Sequence, residues 1–551
     1  MAKFNTRTEV DFVVVGVGAA GGIVASELAS AGFRVVALEQ GPYMHEKDFP
    51  FDELFYHNDE LGITNTRRWP STFRRTDQEK AVQADTVNYT RCVGGGTATY
   101  TGSSTRHHVN DFIEGSLWGS IAGTGLRDWP ITYAELETYY VKAEWELGFS
   151  GLGGANTFEG PRSKPYPMPP LPIKSSGVLF ERGAKKLGLH PFPMPLAILS
   201  QPYRGRRACI HCGFCSGFGC TVGARSSPAY SDIPVAEKTG RLEVRPNSYV
   251  REISTDKNGR VTGAVYFDER KREVFQRAKA VVLSANAYES PRLLLLSKST
   301  RFPDGLANSN GMVGKYLMFG GGGSAEGIFE QPLNDYKSVR VTRLVEDFYA
   351  SDPKRGFYGG GQIDGRWGSG GPLAYALGGA LAPGSPRWGA GFKDALENFN
   401  HTMTSNIFST SLPLETNNVT LDPELKDAWG VPAIRVTYKE HPDDLKTKAF
   451  LRERQLEILE AAGARTKWAG PVREARSGHY LGGCCMGNDP KTSVVDKFHR
   501  AHGVPNLFVV DGSNFVTIAR NHPTCTIQAL AYRASEHIVR MAKSGDLKTS
   551  H

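Results

Sequence analysis

The chain has 551 residues, 40% hydrophobic and 22% charged, which is enough to build a large core in about two domains. Its net charge is +8, from 65 Lys and Arg against 57 Asp and Glu, and the positive residues are spread along the sequence. Nucleic-acid-binding proteins gather such residues in a patch or stripe, so that class is excluded. The mild excess suits a solvated surface or docking with an acidic protein partner.

Targeting signals are not visible in this sequence. No uninterrupted apolar run reaches the roughly 18 residues of a membrane-spanning helix, so we expect no membrane span. Residues 1–10 hold charged side chains and no apolar segment followed by a small-residue cleavage site. The sequence therefore predicts a cytoplasmic protein, or one that a partner carries out of the cytoplasm.

The first predicted element is a strand, glycine turn, helix and strand within residues 11–39. Gly16, Gly18 and Gly21 form the pattern G-x-G-x-x-G between strand and helix, and Glu39 ends the second strand. Such glycines let backbone N–H groups approach a pyrophosphate, while the carboxylate accepts from a ribose hydroxyl. The alternative is a glycine turn that only packs a helix. The acidic residue disfavours a 2′-phosphate but does not separate FAD from NAD.

The next segments are less regular. Residues 45–90 are polar with little periodicity and predict a long ordered excursion. Residues 128–143 predict a helix capped by Thr132, with Glu135 three residues later. Residues 151–195 are rich in Pro and Gly, which predicts a connection with little room for a helix.

Four of the eight cysteines lie close together within the loop 205–225, at Cys209, Cys212, Cys215 and Cys220. This crowding indicates a ligand set rather than disulfides spread over the fold. Four thiolates on one glycine-containing loop suit an iron–sulfur cluster, of 3Fe-4S or 4Fe-4S type, or a zinc ion.

The second half alternates between sheet and helix patterns. Residues 242–296 read as strands, with a hairpin turn at Asn258-Gly259, that lead into a helix. Residues 325–470 hold alternating strand-like runs typical of an antiparallel sheet. Residues 506–543 return to a buried strand, a glycine turn and a long helix.

These patterns predict an α/β (α+β) fold with two domains. We assign a Rossmann-like dinucleotide-binding domain, discontinuous in sequence, to residues 1–325 and 471–551, including the cysteine loop. We assign an antiparallel-sheet substrate domain to residues 326–470.

Five separated motifs resemble those of the glucose-methanol-choline (GMC) oxidoreductases and follow that family's order. They are RCVGGGTATYTGSST at 91–105, DWPIT at 128–132, AKAVVLSANAYESPRLLLLS at 278–297, MVGKYLM at 312–318, and the stretch 479–530 from HYLGGCCMG to HPTCTIQAL. The resemblance implies FAD, a flavin-binding domain and a sheet-based substrate domain.

The resemblance also implies the catalytic residues. His479 stands where the family places its histidine base, and an imidazole suits that task because its pKa lies near the working pH. The second polar partner is His522, which precedes Pro523, or its neighbour Asn521. The family more commonly has Asn-Pro-Thr here, which leaves open whether His522 orients the substrate oxygen, shares the proton or leaves the task to Asn521. Helix capping by Asn521 and Thr524 is the structural alternative.

The FAD site follows by the same resemblance. It would hold the cofactor with Gly16, Gly18, Gly21, Glu39, Gly94, Gly95, Gly96, Thr97, Val250, Asp511, Gly512 and Thr524. The N-terminus of the last helix would face the flavin, where the helix dipole favours the negative charge that arrives with hydride.

The cysteines make the chain similar to the branch of gluconate 2-dehydrogenase, glucose dehydrogenase, fructose dehydrogenase large subunits and glucoside 3-dehydrogenases. That likeness implies oxidation of a secondary hydroxyl of a sugar or glycoside to a ketone, with electrons leaving through the cluster to a cytochrome c. It also implies a small subunit with a twin-arginine signal and a periplasmic location by co-export, with a cytoplasmic location as the alternative.

The cysteine spacing departs from the adjacent-cysteine pattern of gluconate and glucose dehydrogenases, which leaves the cluster type and the substrate open. Two other functions stay open. One is an FAD oxidase that passes electrons to oxygen, and the other is a zinc-stabilised subunit without catalysis.

Overall fold

The structure is a computed structural model that describes residues 4–59, 61–64, 66–368, 371–377, 380–475 and 478–547. The strands are β1 (Val10–Val15), β2 (Val35–Leu38), β3 (Ser71–Arg74), β4 (Val82–Gln83), β5 (Phe192–Pro193), β6 (Leu242–Arg245), β7 (Tyr249–Thr255), β8 (Val261–Phe267), β9 (Glu273–Leu283), β10 (Met318–Phe319), β11 (Ser324–Ile328), β12 (Val341–Val345), β13 (Gly361–Arg366), β14 (Thr402–Ser409), β15 (Asn418–Lys426), β16 (Pro432–Thr437), β17 (Thr466–Ala469), β18 (Tyr480–Leu481) and β19 (Leu507–Val509). The helices are α1 (Gly21–Ser30), α2 (Glu53–His57), α3 (Glu114–Trp118), α4 (Tyr133–Leu147), α5 (Ser175–Lys186), α6 (Asp232–Lys238), α7 (Asn286–Leu296), α8 (Pro372–Ala376), α9 (Gly389–Glu397), α10 (Pro442–Ala462) and α11 (Thr524–Ser544).

A seven-stranded sheet forms the first layer, in the order β6-β2-β1-β9-β8-β7, with β19 also paired to β9. The pairs β6-β2, β2-β1, β1-β9 and β9-β19 are parallel, whereas β9-β8 and β8-β7 are antiparallel. Helices α1, α4 and α11 pack together beside this sheet. Because β1 is apolar on both faces, its buried position between two strands is the one that the sequence predicts.

The sequence predictions for this layer are confirmed. The Rossmann-like α/β class holds, and the N- and C-terminal parts of the chain meet where β19 joins β9. The turn at Asn258-Gly259 connects the antiparallel pair β7-β8. Helix α4 begins after Thr132, whose side chain accepts from the backbone N–H of Glu135 in a capping box.

A second, six-stranded sheet is antiparallel, in the order β17-β11-β14-β13-β12-β5. A four-stranded sheet, β15-β16-β3-β4, joins β3 from the polar segment 45–90 to β16. The six-stranded sheet thus takes β5 and the first two residues of β11 from before residue 326. The domain limits at 325 and 470 stay a prediction.

Of the helices that were not foreseen, α5 and α10 are the two longest. The sequence predicts little room for a helix in 151–195, and this is wrong because α5 lies within it. Its Leu179, Phe180 and Ala184 are buried on one face and share a hydrophobic cluster with residues of β13 and α10. The long helix α10 likewise covers the sheet inside a segment assigned mostly to strands. Tertiary burial, rather than local composition, decides both.

Among the described residues, no helix combines the length and apolar character needed to cross a membrane.

Candidate active site

A cavity of about 760 Å³ opens at the carboxyl ends of β1 and β2 and extends to the six-stranded sheet. Gly16 and Glu39 line one end, and His479, His522 and Phe408 line the other. Open α/β sheets bind ligands at the carboxyl ends of their parallel strands. A volume in this range is typical of small-molecule and cofactor sites.

The first glycine turn shapes the nucleotide end. Gly16 has a left-handed backbone with φ of 88°, and a Cβ there would lie 2.5 Å from the carbonyl oxygen of Ser284. At Gly18 the nearest heavy atom to an added Cβ is the Cα of Gly95, at 3.9 Å, so this residue faces open cavity space. A Cβ at Gly21 would lie 1.9 Å from the Gly16 carbonyl oxygen, so Gly21 serves close packing of α1. Gly21 is not among the cavity-lining residues.

Glu39 is buried below this turn. One carboxylate oxygen accepts from the backbone N–H of Val17 and the other from that of Gly41, both at 3.0 Å. Burial raises the pKa of Glu39 to about 7, although both hydrogen bonds oppose the shift. The carboxyl group is thereby held at the cavity edge, where a ribose hydroxyl would meet it.

The second glycine turn packs against the first. Gly94 has φ of 96° and donates its N–H to the carbonyl of Val17 at 2.7 Å. The cavity is lined by Gly95, Gly96 and Thr97. Gly94, which precedes them, is not among the lining residues. The Thr97 hydroxyl donates to the Gly94 carbonyl at 2.6 Å, which fixes the turn.

The remaining predicted cofactor residues also reach the cavity. Val250 on β7 lines it near Glu39, and Asp511, Gly512 and Thr524 line its far side. The Asp511 carboxylate accepts from the Ser290 hydroxyl at 2.6 Å and from two backbone N–H groups. The N-terminus of α11 lies here, which brings unpaired backbone N–H groups and partial positive charge to the cavity.

Two histidines face each other at the opposite end. The rings of His479 and His522 have centroids 5.7 Å apart and are nearly perpendicular. Phe408 packs against both rings. His479 has φ of 29°, a strained conformation for a side-chain-bearing residue that is typical of functional sites. Its Nδ1 donates to the carbonyl of Gly320 at 3.3 Å.

Both imidazoles are neutral near pH 7. Burial lowers the pKa of His479 to about 4, and the charge of Arg366 adds to that shift. His479 keeps exposed surface, but it lines the cavity, whose walls exclude much of the surrounding water from the ring. Burial also lowers the pKa of His522, with contributions from His479 and Arg366. A neutral imidazole carries one donor and one acceptor nitrogen.

Strand β13 contributes polar residues that the sequence analysis did not identify. Gln362, Asp364 and Arg366 alternate along it and therefore share one face. The Gln362 side-chain amide lies 2.9 Å from Nδ1 of His522. Arg366 is paired with Asp364 and lines the cavity together with Asn406 of β14. The period-two pattern could have revealed this face, but only with the strand already assigned.

Asn521 does not reach the cavity. It is fully buried, and its amide donates to the backbone carbonyl of Arg106 at 2.6 Å. The residue at the N-cap of α11 is Pro523, with no side-chain capping hydrogen bond. Of the two rivals at this position, the structure places His522 at the cavity.

The four cysteines are free thiols. In the described ranges, no group of three or more His, Cys, Asp or Glu residues could hold a metal ion, so the thiols are not arranged as a ligand set. Burial raises the pKa of the Cys215 thiol, while the positive charges of Arg225 and Lys174 oppose the shift. Ser216, which follows Cys215, lines the cavity. The cysteine loop is thus part of the cavity wall.

A glycine-lined sheet edge suited to a pyrophosphate and a pair of imidazoles share one cavity, which is the arrangement expected of a dinucleotide-dependent oxidoreductase. The chain belongs to the GMC oxidoreductase family, whose N-terminal part matches residues 10–318 and whose C-terminal part matches residues 413–531. The resemblance drawn from the motifs is confirmed. The cavity fits FAD, since the two glycine turns leave open space beside Gly18 in which a pyrophosphate could lie.

Known relatives align over nearly the whole chain. It is 36% identical to 2-methyl-1,2-propanediol dehydrogenase of Mycolicibacterium austroafricanum, over 97% of this chain and 96% of that protein. It is 30% identical to the fructose dehydrogenase large subunit of Gluconobacter japonicus, over 98% of this chain and 100% of that protein. The structure of pyridoxine 4-oxidase from Mesorbium loti shares the fold, with a TM-score of 0.63 and 20% identity over 96% of this chain and 98% of that one.

Proposed function

We propose that this oxidoreductase is an FAD-dependent dehydrogenase that oxidises a secondary hydroxyl of a sugar or glycoside to a ketone. The observation that carries this proposal is the pair His479 and His522, facing each other at 5.7 Å at the substrate end of the cavity. Family membership supplies the flavin, and the fructose dehydrogenase relative supports a sugar substrate.

Oxidation of an alcohol removes a hydride from carbon and a proton from oxygen, and leaves a carbonyl group. Bound FAD supplies the two-electron acceptor for that hydride. His479 takes the proton: its Nδ1–H donates to Gly320, so Nε2 carries the lone pair. Its low pKa keeps this nitrogen unprotonated at neutral pH.

The polar wall supports a substrate with several hydroxyls. Arg366, held by Asp364, and Asn406 lie at the same end of the cavity as the histidines and offer donors and an acceptor to further hydroxyl groups. A second candidate is a small diol, because the relative at 36% identity is a 2-methyl-1,2-propanediol dehydrogenase. The two candidates differ in how much of the polar wall the substrate would contact.

We further propose that electrons leave through an iron–sulfur cluster held by Cys209, Cys212, Cys215 and Cys220, and pass to a cytochrome c. The spacing of the four thiols supports this, as does the position of Ser216 in the cavity wall. In the structure the thiols are not gathered, so the loop would have to close around the cluster.

A small partner subunit with a twin-arginine signal and a periplasmic location by co-export belong to the same proposal. Its support is the 30% identity with a protein named as a large subunit. Fractionation of cells that express the chain with and without a candidate small subunit that carries a twin-arginine signal tests the location. Export that does not require a partner would contradict the proposal.

The activity is tested by anaerobic mixing of the purified holoenzyme with sugars, glycosides and 2-methyl-1,2-propanediol while flavin absorbance is followed. We expect bleaching by a sugar or glycoside, a ketone product, and electron delivery to cytochrome c. Bleaching by the diol alone selects the second candidate. Rapid peroxide formation in air without an added acceptor identifies an oxidase, and no bleaching at all, with zinc bound in stoichiometric amount, identifies a non-catalytic subunit.

A further inference from the structure

The side chain of Gln362 contacts the ring of His522 at the histidine end of the cavity. Gln362 is 1% exposed and lies on β13, where its backbone pairs with that of Phe408 on β14. Its side-chain nitrogen lies 2.9 Å from Nδ1 of His522. Its side-chain oxygen has no hydrogen-bond partner among the described residues. The amide is therefore committed to one partner, the imidazole.

With the side-chain nitrogen of Gln362 facing the ring, this contact assigns the proton of His522 to one of its two nitrogens. An amide N–H can only donate, so Nδ1 of the ring must accept. A neutral imidazole then carries its single proton on Nε2. In His479 the arrangement is the reverse, because the Gly320 carbonyl can only accept and the proton must lie on Nδ1. The two rings therefore present opposite hydrogen-bonding characters from their Nε2 atoms.

We infer that Gln362 is a positioning residue that holds His522 in the Nε2-protonated form, so that His522 donates to the substrate oxygen while His479 accepts the hydroxyl proton. This inference rests on the proposed function. As the proton leaves, negative charge grows on the oxygen, and a fixed donor at that point stabilises it. If both rings presented lone pairs, only one could be satisfied by a single hydroxyl, and the developing charge would face an acceptor.

The groups around His522 favour a neutral ring. His479 stands across the cavity, and Arg366 from β13 adds positive charge, while its partner Asp364 lies behind it on the same strand. A second proton on His522 is disfavoured by this environment and by burial. With the ring held neutral, the choice between its two tautomers falls to Gln362.

The test compares Gln362→Glu, Gln362→Met and Gln276→Glu holoenzymes with the wild type. In Gln362→Glu the carboxylate can only accept a hydrogen bond, so Nδ1 of His522 must carry the ring proton. Nε2 of His522 is then protonated only when the ring holds two protons. We expect kcat/KM of Gln362→Glu to fall roughly 10²- to 10³-fold at high pH and to gain a new descending limb. Gln362→Met should lose roughly 5- to 30-fold without that limb. Gln276 is equally buried on β9 outside the cavity, and its Glu variant should keep the wild-type pH profile.

A readout that does not depend on turnover is the ¹⁵N chemical shift of the histidine ring nitrogens, with His522 assigned by its His522→Asn variant. We expect a protonated Nε2 in the wild type and a protonated Nδ1 in Gln362→Glu. A protonated Nδ1 in the wild type, or a wild-type pH profile in Gln362→Glu, overturns the inference. Absence of flavin bleaching in the wild type would instead refute the proposed function, and the ¹⁵N result would still decide the tautomer.

Discussion

The substitutions Gly18→Ala and Gly16→Ala should have different effects, although both residues belong to one turn. The first should weaken FAD binding, and the second should lower the stability of the protein. A Cβ at Gly18 meets only the Cα of Gly95, at 3.9 Å, and projects into the cavity. The apoprotein should therefore keep its unfolding free energy within about 0.5 kcal/mol. The added methyl occupies space that a pyrophosphate needs, and overpacking of about 1–3 kcal/mol corresponds to a roughly 5- to 150-fold weaker Kd for FAD.

At Gly16 the same substitution strains the protein itself. The residue has φ of 88°, which costs a side-chain-bearing residue about 1–2 kcal/mol, and the new Cβ would lie 2.5 Å from a backbone oxygen. Gly16→Ala should therefore lose at least ~2 kcal/mol of unfolding free energy even without FAD.

The assay is a fluorescence titration of apoprotein with FAD, together with urea unfolding of the same apoprotein. Gly470→Ala is the control, because a Cβ there meets no described heavy atom within 4 Å and the residue lies outside the cavity. If Gly18→Ala bound FAD as tightly as the wild type, or destabilised the apoprotein as much as Gly16→Ala, the assignment of this turn as the pyrophosphate cradle would be refuted.

Three further outcomes are expected. His479→Ala should slow anaerobic flavin reduction by roughly 10²- to 10⁴-fold while FAD stays bound, whereas His502→Ala, outside the cavity, should not; equal effects would remove the base assignment. Cys215→Ser should lower the iron and sulfide content of the purified protein, whereas Cys485→Ser, outside the loop, should not; a wild-type protein without iron would end the cluster proposal. Burial lowers the pKa of His499 from its ordinary value of 6.5 to about 4, so the unfolded chain binds the extra proton first as the pH falls. The free energy of unfolding should therefore fall as pH drops from about 6.5 towards 4, by ~2 kcal/mol at pH 5 from this group. In His499→Gln, the free energy of unfolding measured with urea should depend less steeply on pH.

Several parts of the site could be predicted from the sequence because they depend on short-range chemistry. The spacing of Gly16 and Gly18 after an apolar strand fixes a turn that approaches a ligand, and Glu39 ends the adjacent parallel strand at the same edge. His479 was identified by its motif, and it lies at the cavity. Each of these depends on residues that are close together in the chain.

Other parts depended on contacts between distant segments. Gln362 and His522 are separated by 160 positions, and no local pattern links them. Their contact exists because β13 is a central strand of the antiparallel sheet whose face meets the start of α11. Helix α5 was missed for a similar reason, since its buried face is defined by α10 and the sheet rather than by its own Pro- and Gly-rich flanks.

The sequence by itself determined the family, and it predicted the dinucleotide-binding turn and the proposed histidine base, because backbone geometry at glycines and motif order depend on residues close together in the chain. Only the tertiary structure decided between His522 and Asn521, since burial against Arg106 turns one side chain away while the other reaches the cavity. It also decided that a strand face 160 residues away contacts that histidine. Hydrogen-bonding partners across a sheet are set by packing, and packing is a property of the whole fold.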